Sequence, residues 1–135
     1  MKELTVQAAV EQIPHVTAFI DEQLEALDCP MKAQMQIDVA IDELFGNIAH
    51  YAYPEGTGDA TVRFDFEEAA RMVTITLMDS GIPFNPLAKD DPDVNTALEE
   101  RGIGGLGIFL VKKTMDRVDY RYENGMNVLI IQKRI

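Results

Sequence analysis

Residues 60–79 read Ala60-Thr-Val-Arg-Phe-Asp-Phe-Glu-Glu-Ala-Ala-Arg-Met-Val-Thr-Ile-Thr-Leu-Met-Asp79, and the period of this stretch decides the fold class. Ala60, Val62, Phe64 and Phe66 alternate with Thr61, Arg63 and Asp65, so a strand here buries one face and wets the other. Val73, Ile75 and Leu77 repeat the alternation against Thr74, Thr76 and Met78 and end at Asp79. The short link from Glu67 to Ala70 predicts an antiparallel hairpin.

Upstream the period is helical. Ile13, Val16, Ile20, Leu24 and Leu27 step by three and four, which predicts an amphipathic helix ending near Asp28-Cys29-Pro30. A second helix is expected from Met31 to Tyr51, with Met35, Val39, Leu44, Ile48 and Tyr51 as its buried positions, until Pro54, Gly56 and Gly58 stop it. Leu4 to Ala9 suits a short first strand. Downstream, the pattern vanishes between Gly81 and Arg101, a stretch long enough to suggest function or motion. A glycine cluster at 102–107 opens an apolar helix to about Met115. Val118 to Glu123 and Met126 to Lys133 form a closing hairpin on an Asn124-Gly125 type I′ turn. The order β-α-α-β-β-loop-α-β-β predicts an α+β two-layer sandwich: a mixed, mainly antiparallel sheet with about three helices on one face.

The 135 residues, 47% hydrophobic and 26% charged, suit one domain spanning 1–135 and exclude disordered, collagen-like and disulfide-scaffold classes. Twenty-three acids against twelve bases give a net charge of -11, which disfavours nucleic acid and anionic membranes as partners. No run approaches 18 apolar residues, acids interrupt the first dozen, and the lone Cys29 has no bridging partner. A cytoplasmic protein is expected, with Cys29 a small packed residue.

Three groups of residues could carry chemistry. Arg101-Gly-Ile-Gly-Gly-Leu-Gly107 strips side chains from the backbone just where an apolar helix starts, so N–H groups and the helix dipole converge on one point suited to phosphate. Without a ligand the same glycines would serve as a hinge. Gly102, Gly104 and Gly107 match G-x-G-x-x-G, but no strand precedes them, and neither Lys nor Ser follows Gly107 as a P-loop requires. Next, Glu43, Gly46, Asn47 and His50 share one helix face. A carboxylate can take a proton from a hydroxyl, and an amide oxygen can ligate Mg²⁺. Gly46 costs the helix about 1 kcal/mol, which close approach of a ligand or neighbouring element would explain. Finally, Asp79-Ser-Gly-Ile-Pro-Phe84 sets an acid at a strand end, placed to accept from an exocyclic amine.

In order, Glu43-x-x-x-Asn47, Asp79-x-Gly81 and Gly102-x-Gly-Gly-x-Gly107 resemble the N-box and two glycine boxes of the GHKL ATP-binding superfamily. Glu43-Leu-Phe-Gly-Asn-Ile-Ala-His-Tyr-Ala-Tyr53 and Asp79-Ser-Gly-Ile-Pro-Phe-Asn-Pro86 are similar to its anti-sigma factor serine kinase group. The resemblance implies the layered GHKL (Bergerat-like) fold, with ATP and Mg²⁺ as cofactors and an ATP lid at 85–101. It implies Glu43 as general base, Asn47 on Mg²⁺, Asp79 on the adenine amine and Gly81 allowing the base close. Gly102, Gly104, Gly105, Leu106 and Gly107 would close on the phosphates, with Arg101 on the terminal phosphate or the protein substrate. A chain of net charge -11 needs local compensation to bind ATP, and Lys112 and Lys113 are expected near enough to add to that of Mg²⁺, the helix dipole and Arg101. Pro83 replaces the second glycine of the superfamily's D-x-G-x-G, and no last-strand Thr is found, Asn127 being nearest.

The activity so implied is that of a serine/threonine protein kinase. It would phosphorylate a small anti-sigma antagonist and sequester a sigma factor, as a homodimer. The alternatives are a nucleotide-sensing binding module without turnover and a detached catalytic domain serving a phosphorelay.

Overall fold

A computed structural model describes residues 1–88 and 105–135. Among them five strands form one sheet: β1 (Lys2–Gln7), β2 (Asp59–Glu67), β3 (Met72–Asp79), β4 (Arg117–Glu123) and β5 (Met126–Arg134). Three α-helices accompany it: α1 (Ile13–Ala26), α2 (Met31–Tyr51) and α3 (Gly105–Thr114). The sheet order is β1-β2-β3-β5-β4. All four ladders are antiparallel, so the mixed element of the expected sheet is absent among the described residues.

Register carries the alternation read from the sequence across the sheet. Val62 pairs with Leu77 and Leu77 with Leu129, while Phe64 pairs with Ile75 and Ile75 with Ile131. These side chains share one face and join Val16, Ile20 and Leu24 of α1, Ile37, Ile41, Leu44 and Phe45 of α2, and Ile108 and Val111 of α3 in a single core. The helices therefore cover one face of the sheet. The β4–β5 turn has φ +55° at Asn124 and +74° at Gly125, as a type I′ turn demands.

The second helix has the expected span but buries a different stripe. Ala33, Ile37, Ala40, Ile41, Leu44 and Phe45 face the core, whereas Met35 is 61% exposed, Val39 53% and Tyr51 50%. Of the five expected positions only Leu44 is buried and Ile48 partly so. The helix carries apolar residues on two stripes, and small Ala33 and Ala40 mark the one that lies close against its neighbours.

Between α1 and α2 the carboxyl groups of Asp21 and Asp38 face each other within hydrogen-bonding reach, a contact that requires a proton on one of them. Burial first, then this bond and the charges of Asp21 and Glu25, push Asp38 up from 3.8 to about 7. One oxygen of each residue is buried without a partner. Because the folded value lies above the unfolded one, the pair's contribution is full below about pH 4 and is lost as pH rises through about 7. Asp38→Asn keeps a donor toward Asp21 and removes the titration. Urea unfolding at pH 5 and pH 8 is expected to show the wild type losing about 1 kcal/mol more than the variant, after discounting for partial exposure. Identical losses would refute the shared proton.

Candidate functional site

The site begins at the end of β3. Asp79 is inward-facing in the alternation and only 3% exposed, a burial that a carboxylate tolerates only when hydrogen-bonded. Its Oδ1 accepts from the Gly81 backbone N–H and from Asn127 Nδ2, each at 2.9 Å. Asn127 stands directly opposite in the β3–β5 register. Around this polar pair lies an apolar pocket walled by Leu44 and Ile48 of α2, Leu77 of β3 and Leu129 of β5. Phe84 and Pro86 close it from the segment after β3, and Asn47 and Tyr120 reach its margin. Few polar groups converging in an apolar cleft is the usual make-up of a small-molecule site.

The turn after Asp79 is fixed from both sides. Tyr53, just beyond α2, donates its hydroxyl to the Asp59 carbonyl at 2.7 Å and accepts the Ser80 N–H at 2.9 Å. Ile82 N–H bonds the Ala52 carbonyl at 2.9 Å, and Tyr51 stacks on Phe84 with ring centroids 5.1 Å apart. A Cβ built at Gly81 would lie 2.2 Å from the Ala52 carbonyl oxygen, so this glycine lets two backbones touch. Packing against the end of α2 thus already requires Gly81, apart from any contact with a base.

On α2, Glu43 and Asn47 lie one turn apart, and the Asn47 side chain bonds the Glu43 carboxylate. Burial chiefly, then the neighbouring Asp42 charge, push the Glu43 carboxyl above its ordinary value, and the Asn47 bond opposes them. The carboxylate lies against the first turn of α3: a Cβ at Gly107 would fall 2.3 Å from Glu43 Cδ and Oε2. Two of the three sequence motifs therefore meet, and Asn47 and Asp79 line one pocket. Gly105 opens α3, with Leu106 following in its backbone. Arg101, Gly102, Gly104 and most of the expected lid lie outside the described residues; its start is a single turn at Pro86–Ala88, with Pro86 buried in the pocket wall.

Some expectations are not met. No described atom lies within 4 Å of a Cβ built at Gly46, so no described neighbouring element explains that glycine. His50 is exposed and tilts against Tyr51 at 6.1 Å. Lys112 and Lys113 occupy the last turn of α3, the end away from its glycines. The sequence gives no role to Tyr53 or Tyr120, and Asn127 stands in it only as the residue nearest the absent last-strand Thr. A signal for Asn127 did exist: it is the polar member of an inward-facing series with Leu129 and Ile131.

A sheet covered by helices on one face, with a buried acid at a strand end and an N-box helix against a glycine-opened helix, is an α+β arrangement consistent with a GHKL-type ATPase domain. The chain belongs to the histidine kinase-like ATPase domain family, whose model matches residues 6–133. It is similar to proteins named serine-protein kinase RsbW: one from Bacillus mycoides and one from Bacillus cereus, each 33% identical over 96 residues, and a second from Bacillus cereus at 34%. Each alignment covers 68% of this chain and 59% of the relative, so the chain spans under two-thirds of the curated relatives' length. No helix among the described residues is long and apolar enough to cross a membrane.

The two glycine contacts predict different costs. At Gly107 an added methyl meets the movable tip of Glu43, and helix propensity favours Ala, so Gly107→Ala is expected to change stability by less than about 1 kcal/mol. At Gly81 it meets backbone, and Gly81→Ala is expected to cost more than about 2 kcal/mol. Urea unfolding of both variants checks this; equal costs would contradict the contacts described.

Proposed function

We propose that the chain binds Mg-ATP and transfers the γ-phosphoryl group to a serine or threonine of a small antagonist protein of the anti-sigma antagonist class. The same chain sequesters a sigma factor, acting as a homodimer in the cytoplasm. The observation that carries the reading is Glu43: a carboxylate bonded by Asn47, packed on the first turn of α3, beside a pocket with a buried acid at its end. Family membership and the names of the similar proteins support the same reading.

The residues present fit both cofactors. The chemistry of the lining, apolar walls around one buried carboxylate, suits a purine whose exocyclic amine Asp79 accepts; the free space among these side chains is about 20 Å³, so a base enters only as the lining side chains give way. Asn47 engages Glu43 through its amide N–H, which leaves its carbonyl oxygen for a hard cation. Bound ATP supplies the phosphoryl group, and Mg²⁺ offsets the charge between its phosphates. Gly105 and Gly107, in the first turn of α3, offer backbone N–H groups at a helix start, where phosphate is favoured, and the family resemblance adds Gly102 and Gly104 to them. Arg101 adds positive charge beside them, which a chain of net charge -11 needs locally. Residues 85–101 act as the lid of this single domain.

Glu43 takes the proton of the attacking hydroxyl at its carboxylate as the oxygen–phosphorus bond forms and the bond to the ADP leaving group breaks. Burial raises its basicity and suits it to that task. Glu43→Ala is accordingly expected to keep Mg-ATP affinity within about threefold and to lower phosphotransfer to a small anti-sigma antagonist by at least ~100-fold. Transfer of labelled γ-phosphate checks this. Equal, negligible transfer by wild type and variant would instead favour a nucleotide-dependent binding protein without turnover.

A further inference from the structure

Asn127 uses its whole hydrogen-bonding capacity inside the protein. Its Nδ2 donates to Asp79 Oδ1 at 2.9 Å and to the Ile82 carbonyl at 2.8 Å. Its Oδ1 accepts the Phe84 N–H at 3.1 Å and the Tyr120 hydroxyl. Two donors and two acceptors fix which end of the amide is which, and none of its lone pairs or protons is left over for a ligand. Yet the residue is 6% exposed and lines the pocket beside Asp79.

The bonds connect four points of the site's wall. Asp79 receives Asn127 and Gly81 on the same oxygen, Oδ1, so Oδ2 receives neither. Ile82 and Phe84 bracket the turn that supplies the pocket's aromatic edge, and Tyr120 holds the amide from β4. Such a network orients a carboxylate only when every member is satisfied, and a gap in it leaves buried groups without partners.

We propose that Asn127 is a positioning residue for base selection: it turns the Asp79 carboxylate so that Oδ2 faces the pocket as an acceptor, and it holds the Ile82–Phe84 backbone as the opposing wall. Asn127 does not itself contact the base. The site therefore selects a purine with a 6-amino donor over one with a 6-oxo acceptor, and the selection depends on the Asn127–Tyr120 pair. This rests on the ATP reading above and extends it to the residues that enforce it.

The test is calorimetric binding of Mg-ATP, Mg-ITP and the Mg-triphosphate of unsubstituted purine riboside to wild type, Asn127→Ala and Tyr120→Phe. Wild type is expected to prefer ATP over ITP by at least ~100-fold, since an unpaired buried acceptor rejects the wrong base strongly. Asn127→Ala is expected to shrink that ratio below ~10-fold. Tyr120→Phe removes one hydroxyl from a partly exposed side chain, keeps the fold, and should lower the ratio several-fold, which keeps the proposal testable if the alanine variant does not fold.

A merely structural role would weaken all three nucleotides equally and leave the ratio intact; that result, in either variant, overturns the proposal. A direct contact from Asn127 to the base would make Asn127→Ala weaken purine riboside triphosphate as much as ATP, which overturns it also. Wild type that binds none of the three refutes the ATP reading itself, and the inference with it.

Discussion

A carboxylate enclosed by leucine, isoleucine and phenylalanine has to find hydrogen-bond donors, and the fold supplies them to Asp79 from two directions. One is the turn immediately following, through Gly81. The other is β5, which arrives beside β3 only because the chain has run through a long connection, a helix and a strand first. Central placement of β3 between β2 and β5 is thus both a packing solution and the condition for a polar group at the bottom of the cleft. The turn that follows is then drawn toward α2, where Ala52, Tyr53 and Tyr51 hold it.

The second centre of the site depends on α2 in a different way. Its inner stripe is occupied by the core, so Glu43 and Asn47 lie at the border of that stripe, half-buried, where α3 begins. Contact between Glu43 and Gly107 joins the N-box to the glycine cluster, while burial and the neighbouring Asp42 charge raise the basicity of the carboxylate. The apolar pocket and the Glu43 centre share Asn47 as a common margin, which puts a base-reading group and a proton acceptor on either side of one residue.

Much of this was legible in the residues. Period-two alternation placed β2 and β3, and Asn124-Gly125 placed the closing turn, since both follow from local geometry. Three spaced motifs pointed to the family. The buried face of α2 is not legible in the sequence because Met35 and Val39 satisfy a helical period as well as Ile37 and Ile41 do, and only tertiary packing chooses between two apolar stripes. The part Asn127 plays is hidden from the sequence for a related reason. Its role comes from register, a relation between residues 48 apart in sequence that no local pattern encodes. The Asp21–Asp38 pair is likewise a product of helix–helix docking.

The most direct measurement is a thermal melt of wild type and Asp79→Asn with Mg-ATP, with Mg-GTP, and with ATP in excess chelator. Nucleotide at 100 times its dissociation constant adds about 2.7 kcal/mol, a few degrees for a domain of this size. The account predicts that rise for wild type with Mg-ATP alone, and its loss in the variant. An equal rise with Mg-GTP, or one that survives both chelator and the loss of Asp79, would contradict it.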